Sequence, residues 1–522
     1  MQKNHIQIDR KKRISFGLVY PNRLKIMLSS YTIRFLFHYL NDKLEVFCDR
    51  FSLPEKYVFP AYKDVQPISD LRSFDRNLNV HEFDILGFTI QYENDYRNVL
   101  WFLDKAGIPL RFQERHESQD QAISYPILIA GGPVITSNPL PFSNIFDACF
   151  IGDSENNLPT FLDQYNQFRN QNYNLEKFLN SLKDVNGIYI PSLKNKVSRE
   201  VLSNLDKSPI PYNQISQRVE YGRFENNFFL EVNRGCPYKC KFCLSSYHNF
   251  PFRNRSYQNI IDCIENSLMN SQFDKVSLIG SCSSSHPQFS KICNYILDKG
   301  KKLSIPSIRL EHITPEIIKI CEKAGIKTIT IAPEAGGDIL RSQLGKTFSN
   351  DEIIKKAILI RNSSIRNIKF YFLIGLPDES DENISEIVNL IKKIGELDFP
   401  NNSLRVNINP FIPKLNTPYE FHTTYFTREK LKILKSRLDF LITSLNRLSY
   451  VKLKVKNSKE LVNQARLQTL ISLGNEKIAE LLIEYYRLGA NLGSLRRAEN
   501  NFDISIDDYF IKINSGFKPW KY

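Results

Sequence analysis

The sequence predicts an α/β protein: a doubly wound parallel sheet, then a partial (βα)6 barrel, then a small α+β C-terminal module. Three observations carry this expectation. Two separate arrays of short apolar runs alternate with amphipathic stretches, a polar irregular segment divides them, and a lysine-rich, mainly helical segment closes the chain. Strands buried on both faces read as continuous apolar runs, and strand–helix alternation builds parallel sheets. The chain has 522 residues, 42% hydrophobic and 24% charged, a composition that excludes a mainly disordered or collagen-like protein. Its length accommodates several cores.

The first array supplies five candidate strands: Ile14–Tyr20, Leu44–Phe51, Asp84–Ile90, Pro126–Gly132 and Asp147–Gly152. Between the third and fourth, Asn98–Ala106 places Val99, Leu100, Phe102, Leu103 and Ala106 at helical spacing, and Gly107 supplies a stop. Residues 1–192 are therefore expected to form the first unit, whose ligands should sit at the carboxyl ends of the strands. Residues 193–224, including Ser208–Gln214, read as a linker. The second array, 225–422, supplies six strands: Asn227–Asn233, Lys275–Ser281, Leu303–Leu310, Thr328–Glu334, Ile368–Gly375 and Ser403–Phe411. Ser349 and Glu352 have capping-box spacing, and Ile384, Ile387, Val388, Ile391 and Ile394 form one helix face. In the last segment, 423–522, a helical stretch over Lys430–Leu448 precedes a basic strand, Val451–Lys456. Its lysines 452, 454 and 456 share one face, read as a solvated face, as edge protection or as an RNA contact.

The net charge is +14. That surplus suits RNA, a membrane surface or an anionic cofactor, or reflects solvated lysines alone. No apolar run approaches the roughly 20 residues that span a bilayer, and no apolar stretch follows the basic N-terminus, so a cytoplasmic protein without membrane partners is expected. Among nine cysteines, Cys48, Cys149, Cys263, Cys293 and Cys321 lie singly in apolar surroundings and read as small buried hydrophobes.

Cys236, Cys240 and Cys243 differ, crowding into Glu231–Cys243 with C-x3-C-x2-C spacing directly after a strand. Thiolates suit zinc or iron–sulfur clusters. A structural zinc site wants four closed ligands, and His248 is the nearest further candidate. An all-cysteine cubane likewise needs four thiolates, so three on one loop suggest a cluster with one iron left open.

With Phe242 before the last cysteine, and at the head of six βα units, this motif resembles that of the radical S-adenosylmethionine (radical SAM) enzymes. Further segments (Tyr20–Ser30, Phe88–Leu100, Ile129–Phe142, Phe150–Glu155, Thr330–Gly336, Asn409–Phe421 and Lys518–Trp520) are similar to those of a radical SAM group with an N-terminal cobalamin-binding-like, Rossmann-like domain. The resemblance implies a 4Fe-4S cluster on Cys236, Cys240 and Cys243. It also implies reductive cleavage of S-adenosylmethionine (SAM) to a 5′-deoxyadenosyl radical, with flavodoxin or ferredoxin as electron donor.

By the same resemblance, Gly280 and Ser281, Arg309, Glu334, and Gly375 with Pro377 are expected to contact SAM, although the family's glutamate after the second strand is replaced by the serine run Ser281–Ser285. Gly131 and Gly132 are expected to let backbone approach a cobalamin tail, with Gly152–Glu155 as an acidic loop beside it. The cobalt-ligating D-x-H-x-x-G motif is absent, and neither His38 nor His81 replaces it. The implied activity is cobalamin-dependent C-methylation of an unactivated carbon in a protein, RNA or metabolite. Cobalamin-independent rearrangement or sulfur insertion is the rival, and a noncatalytic Fe-S or RNA-binding scaffold a third reading. Methylthiotransfer is disfavoured, because only Cys48 and Cys149 precede the linker. Cys282 or a tyrosine is a candidate hydrogen relay.

Overall fold

A computed structural model describes residues 13–44, 46–54, 71–116, 125–170, 174–212, 214, 226–455 and 457–522. Lys456, and residues 213 and 215–224 of the expected linker, fall outside them. The first array folds into β1 (Ser15–Arg23), β2 (Phe47–Leu53), β3 (Ile85–Thr89), β4 (Ile127–Gly131), β5 (Ala148–Phe150) and β6 (Ile188–Tyr189). The sheet order is β2-β1-β3-β4-β5-β6. The first five strands are parallel, and β6 is antiparallel to β5. Strand order reverses between β1 and β3, which makes the carboxyl ends of that pair the expected ligand crevice. The helix read at Asn98–Ala106 runs over Tyr96–Lys105, with Gly107 in the left-handed region just past its end.

The second array forms β7 (Asn227–Glu231), a small antiparallel pair β8 (Asn233–Arg234) and β9 (Arg253–Asn254), then β10 (Lys275–Ile279), β11 (Lys302–Ser304), β12 (Thr328–Glu334), β13 (Asn367–Ile374), β14 (Leu404–Pro410) and β15 (Val451–Leu453). The parallel ladders are β11-β10-β7 and β12-β13-β14-β15. Among the described residues no ladder joins β11 to β12, so the barrel is open there. The third strand is shorter than the expected Leu303–Leu310. Pro306 lacks a ladder donor, and Arg309 instead precedes a 3-10 turn, Leu310–His312. The capping box at Ser349 and Glu352 forms, and the five apolar residues of the helix Asp381–Gly395 are all buried.

The segment read as a linker is docked. Gln214 exchanges two hydrogen bonds with the backbone of Phe229 on the edge strand β7 (2.8 and 2.9 Å), and Glu200 bridges to Gly152. The C-terminal segment also continues its neighbours. β15 pairs in parallel with β14, and its helices Ser458–Leu473 and Glu476–Arg487 return to the first unit. There Asn138 Nδ2 donates to the carbonyls of Ser472 (3.1 Å) and Gly474 (2.8 Å), and Arg111 pairs with Glu480 at 2.9 Å. No helix of the described residues is long and apolar enough to cross a membrane.

Replacing the buried Asn138 by alanine leaves two buried carbonyls without donors, a cost of about 1–3 kcal/mol. Asn138→Ala should lower the thermal unfolding midpoint and speed proteolysis of the C-terminal helices.

Candidate functional site

The cysteine loop leaves β7 and is clasped at its base by β8 and β9. Cys243 N–H donates to the Cys240 carbonyl at 3.0 Å, and Lys241 N–H donates to Leu344 at 3.0 Å, docking the loop against the segment 344–346. Cys240 is buried, while Cys236 and Cys243 are half-buried. Among the described residues, no three His, Cys, Asp or Glu side chains converge as a single ion would require. His248 faces elsewhere: its Nε2 meets the Leu415 carbonyl at 2.8 Å, its ring abuts Tyr522, and burial lowers its pKa to about 4. His248 therefore does not supply the fourth ligand that a closed zinc shell on this loop would need.

Cations flank these thiols. Burial pushes the Cys240 thiol up, against the pull of Lys346 and Arg309. The Arg309 guanidinium approaches Cys240 Sγ at 3.9 Å, stacks 3.5 Å from the Tyr238 ring centroid and pairs with Glu311 at 2.7 Å. Tyr238 Oη meets His312 Nε2 at 3.1 Å, and His312 Nδ1 meets Ser284 Oγ at 2.9 Å. The serine run after β10 is thereby tied to the cysteine loop. Cys282 lies in this run, within hydrogen-bond reach of Cys236. Their shared proton pushes Cys236 up and, with Ser285 and Ser284, draws Cys282 down.

Arg309 lies beyond the end of β11, whereas the other expected SAM-contacting residues fall at the carboxyl ends of their strands, with local explanations of their own. A Cβ on Gly280 would lie 2.1 Å from Asn233 Oδ1, and Asn233 Nδ2 holds the Cys282 carbonyl at 2.8 Å. Ser281 is exposed. Glu334 ends β12 at φ +67°, and its carboxylate pairs with Lys346 Nζ at 2.8 Å. Lys346 also donates to the Ala332 carbonyl at 2.5 Å and lies 5.8 Å from the Phe242 ring. Gly375 takes φ +77°, and its N–H donates to Glu379 Oε2 at 2.7 Å, closing the turn that contains the half-buried Pro377. Lys346, Asn233 and Arg341, which holds the carbonyls of Ala335 and Gly336 at 3.0 and 3.1 Å, went unread in the sequence. None belongs to a motif, and only the fold brings them to the site.

A cavity of about 310 Å³ opens at the carboxyl edge of the first sheet. Gly131, Gly132 and Gly152–Glu155 line one side, Tyr31, Phe35 and Leu40 another, and Glu231 and Arg234 close it toward the cysteine loop. The two glycines differ in cause. Gly132, at φ +103°, would set a Cβ 2.6 Å from the Ile90 carbonyl, so β3 itself demands it; a Cβ on Gly131 would meet only Phe150 Cβ, at 3.6 Å. The buried hydroxyl of Tyr31 has no hydrogen-bond partner. Arg234 pairs with Asp153 (2.8 Å), Glu155 (2.9 Å) and Glu231 (2.9 Å), and Arg253 pairs with Asp153 at 2.6 Å. Against the penalty of burial, Arg234 and Arg253 hold the Asp153 carboxyl below its usual range.

Residues 32–191 match the family described as radical SAM proteins, N-terminal, and residues 230–391 match the radical SAM superfamily. The chain belongs to the radical SAM superfamily. This radical SAM protein is 26% identical over 475 residues to an uncharacterised protein of Methanocaldococcus jannaschii, covering 89% of this chain and 90% of that one. It is 22% identical over 276 residues to an uncharacterised methyltransferase of Pyrococcus horikoshii, covering 51% and 58%. Its fold is similar to that of TsrM from Kitasatospora setae, a radical SAM methyltransferase solved with cobalamin and a 4Fe-4S cluster bound (TM-score 0.55, 10% identity, 93% of this chain and 99% of that one). It is similar also to the cobalamin-dependent SAM radical enzyme OxsB (TM-score 0.52, 14% identity, 98% and 78%). Radical SAM membership implies a 4Fe-4S cluster and SAM as the working pair of this enzyme.

Burial raises the Glu379 carboxyl from 4.5 to about 7, outweighing the Gly375 amide and Arg437. A folded-state pKa above the unfolded one gives stability that is full below about pH 4.5 and declines as pH rises to about 7. Thermal midpoints between these pH values should therefore fall less steeply in Glu379→Gln than in the parent protein.

Proposed function

We propose that this enzyme reductively cleaves SAM at a 4Fe-4S cluster held by Cys236, Cys240 and Cys243, and that it is a cobalamin-dependent C-methyltransferase. The observation that carries the reading is the cavity of about 310 Å³, which ends on Glu231 and Arg234 immediately before the cysteine loop. The residues present fit both groups. Three thiols with Lys346 and Arg309 beside them suit an anionic cluster, and the orphaned Tyr31 hydroxyl and the open space at Gly131 suit a bulky guest in the cavity.

The cluster supplies the electron that splits SAM, and cobalamin supplies a methyl carrier. The rest falls to the chain's own side chains. Arg309 binds the SAM carboxylate, its charge already set beside Cys240 and steadied by Tyr238 and Glu311. Glu334, held by Lys346, and the backbone of Gly280 and Ser281 take the SAM ammonium. The turn of Gly375 and Pro377 would contact the adenine. Gly131 would leave room for the corrin tail, Gly132 would keep the Ile90 backbone packed beside it, and the Arg234 network would hold that pocket against the cysteine loop. A flavodoxin or ferredoxin delivers the electron. The D-x-H-x-x-G motif is absent, so the pocket would hold cobalamin without that motif's histidine.

The test is anaerobic reconstitution with iron, sulfide and cobalamin, followed by SAM and dithionite. Desalted protein should retain cluster iron and a corrin absorption band, and should release 5′-deoxyadenosine. Cys240→Ala should lose cluster iron and SAM cleavage. Gly131→Phe, which fills the cavity, should lose the corrin band while keeping its iron. Corrin retained equally by Gly131→Phe and the parent would overturn the cavity assignment, and full iron content in Cys240→Ala would overturn the ligand assignment.

A further inference from the structure

The second ladder carries an open polar face whose last residue on β13, Leu373, packs with Phe242 of the cysteine loop against one apolar cluster, and whose other residues lie outside the cavity lining. Along β13, Ile368, Phe370, Phe372 and Ile374 are buried toward the outer helices, and Asn367, Lys369, Tyr371 and Leu373 alternate onto the opposite face. Cross-strand register extends that alternation. Thr330 aligns with Lys369, Lys369 with Arg405, and Arg405 with Lys452. Tyr371 aligns with Asn407, and Leu373 with Asn409. Three cations thus stand in one row on three adjacent strands. Arg405, Asn409, Lys452 and Lys454 are exposed. Lys369 Nζ donates to Tyr371 Oη at 2.5 Å.

Adjacent strands lie about 4.8 Å apart, so the row from Lys369 to Lys452 spans about 10 Å. That exceeds one phosphate or carboxylate and suits successive charges on a chain. Beside the row, a groove of about 350 Å³ is lined by Tyr371, Asn407, Asn409, Lys454 and Gln464. It shares Asn457, Glu460 and Gln464 with a second groove of about 490 Å³ that runs on to Tyr485 and Asn491. The two grooves therefore meet at the start of the helix Ser458–Leu473. Its acidic side chain, Glu460, accepts a hydrogen bond from Gln464 at 3.0 Å.

We propose that this face and the groove beside it bind single-stranded RNA. The cation row takes successive phosphates, which supplies most of the affinity for nucleic acid. Tyr371 offers a ring for a splayed base, and stacking of this kind tolerates any sequence. Asn407 and Asn409 present amides that both donate and accept, as base edges and the ribose 2′-hydroxyl require. An acidic peptide would satisfy the cations but would leave the ring and the amide pair without a role. The proposal needs no cofactor, so it stands whether or not the radical chemistry proposed above is correct.

The test is fluorescence anisotropy of a short labelled oligouridylate with the full-length protein, titrated over salt without SAM or reductant. Arg405→Ala/Lys452→Ala/Lys454→Ala should weaken binding by at least about tenfold. It should also reduce the slope of log affinity against log salt by about two, at about 0.7 per lost phosphate contact. Lys452→Gln and Lys454→Gln alone, both at exposed positions, should each reduce the slope by about 0.7, which keeps the test decisive should the triple variant fold poorly. Cluster iron content should be unchanged in all three. An unaltered slope in the single variants, or displacement of the oligouridylate by polyglutamate at equal charge, would overturn the proposal. Equal affinity for oligothymidylate would overturn its assignment to RNA.

Discussion

The guanidinium of Arg234 is the contact on which the arrangement of this enzyme depends. It stands two residues before Cys236 and holds Glu231 at the end of β7 together with Asp153 and Glu155 beyond the end of β5. One side chain therefore fixes the mouth of the first sheet against the base of the cysteine loop. The planar fork of arginine can serve several carboxylates at once, as a lysine ammonium cannot in fixed geometry. Burying so many charges is costly unless each is paired and hydrogen-bonded. Here Asp153 accepts also from Arg253 and from the Leu202 N–H, and Glu155 accepts from Ser208. Those last two donors lie in the segment that looked like a simple linker. Its docking completes the network.

A second economy concerns charge around the thiols. Lys346 reaches Glu334 and the Ala332 carbonyl, and it stands close enough to Cys240 to favour the thiolate. Arg309 does the same from the other side while stacking on Tyr238. The serine run after β10 replaces an expected acid with hydroxyls, and these hold His312 and Cys282 in place. Both cations beside the thiols are themselves paired, Arg309 with Glu311 and Lys346 with Glu334.

The C-terminal segment makes contact with both α/β units. Its strand extends the second ladder through β14, while its helices return to the first unit through Asn138 and Arg111. Trp520 closes the connection from the chain end, its ring 4.9 Å from that of Tyr189 on β6. The geometry between cavity and cysteine loop is therefore braced at both ends, by a buried ionic network and by a helical strap.

Most elements and the reactive loop were legible in the amino-acid order alone. Apolar runs of the right length became strands, the periodic faces at Val99–Ala106 and Ile384–Ile394 became buried helix faces, and the crowding of three cysteines was visible because their spacing is local. Tertiary structure decided what depends on distant partners. Pro306 ended the third strand early, but only the fold showed that Arg309 then turns to Cys240. Gly132 serves the Ile90 backbone rather than a ligand alone, whereas Gly131 does leave free space. Lys346 and Arg234 were ordinary basic residues in the sequence, and the register that aligns Lys369, Arg405 and Lys452 could not be read from three separate segments. Local pattern records what a residue does to its own helix or strand. Ion pairs, cavities and cross-strand rows form between residues tens to hundreds of positions apart, and only the folded chain brings them together.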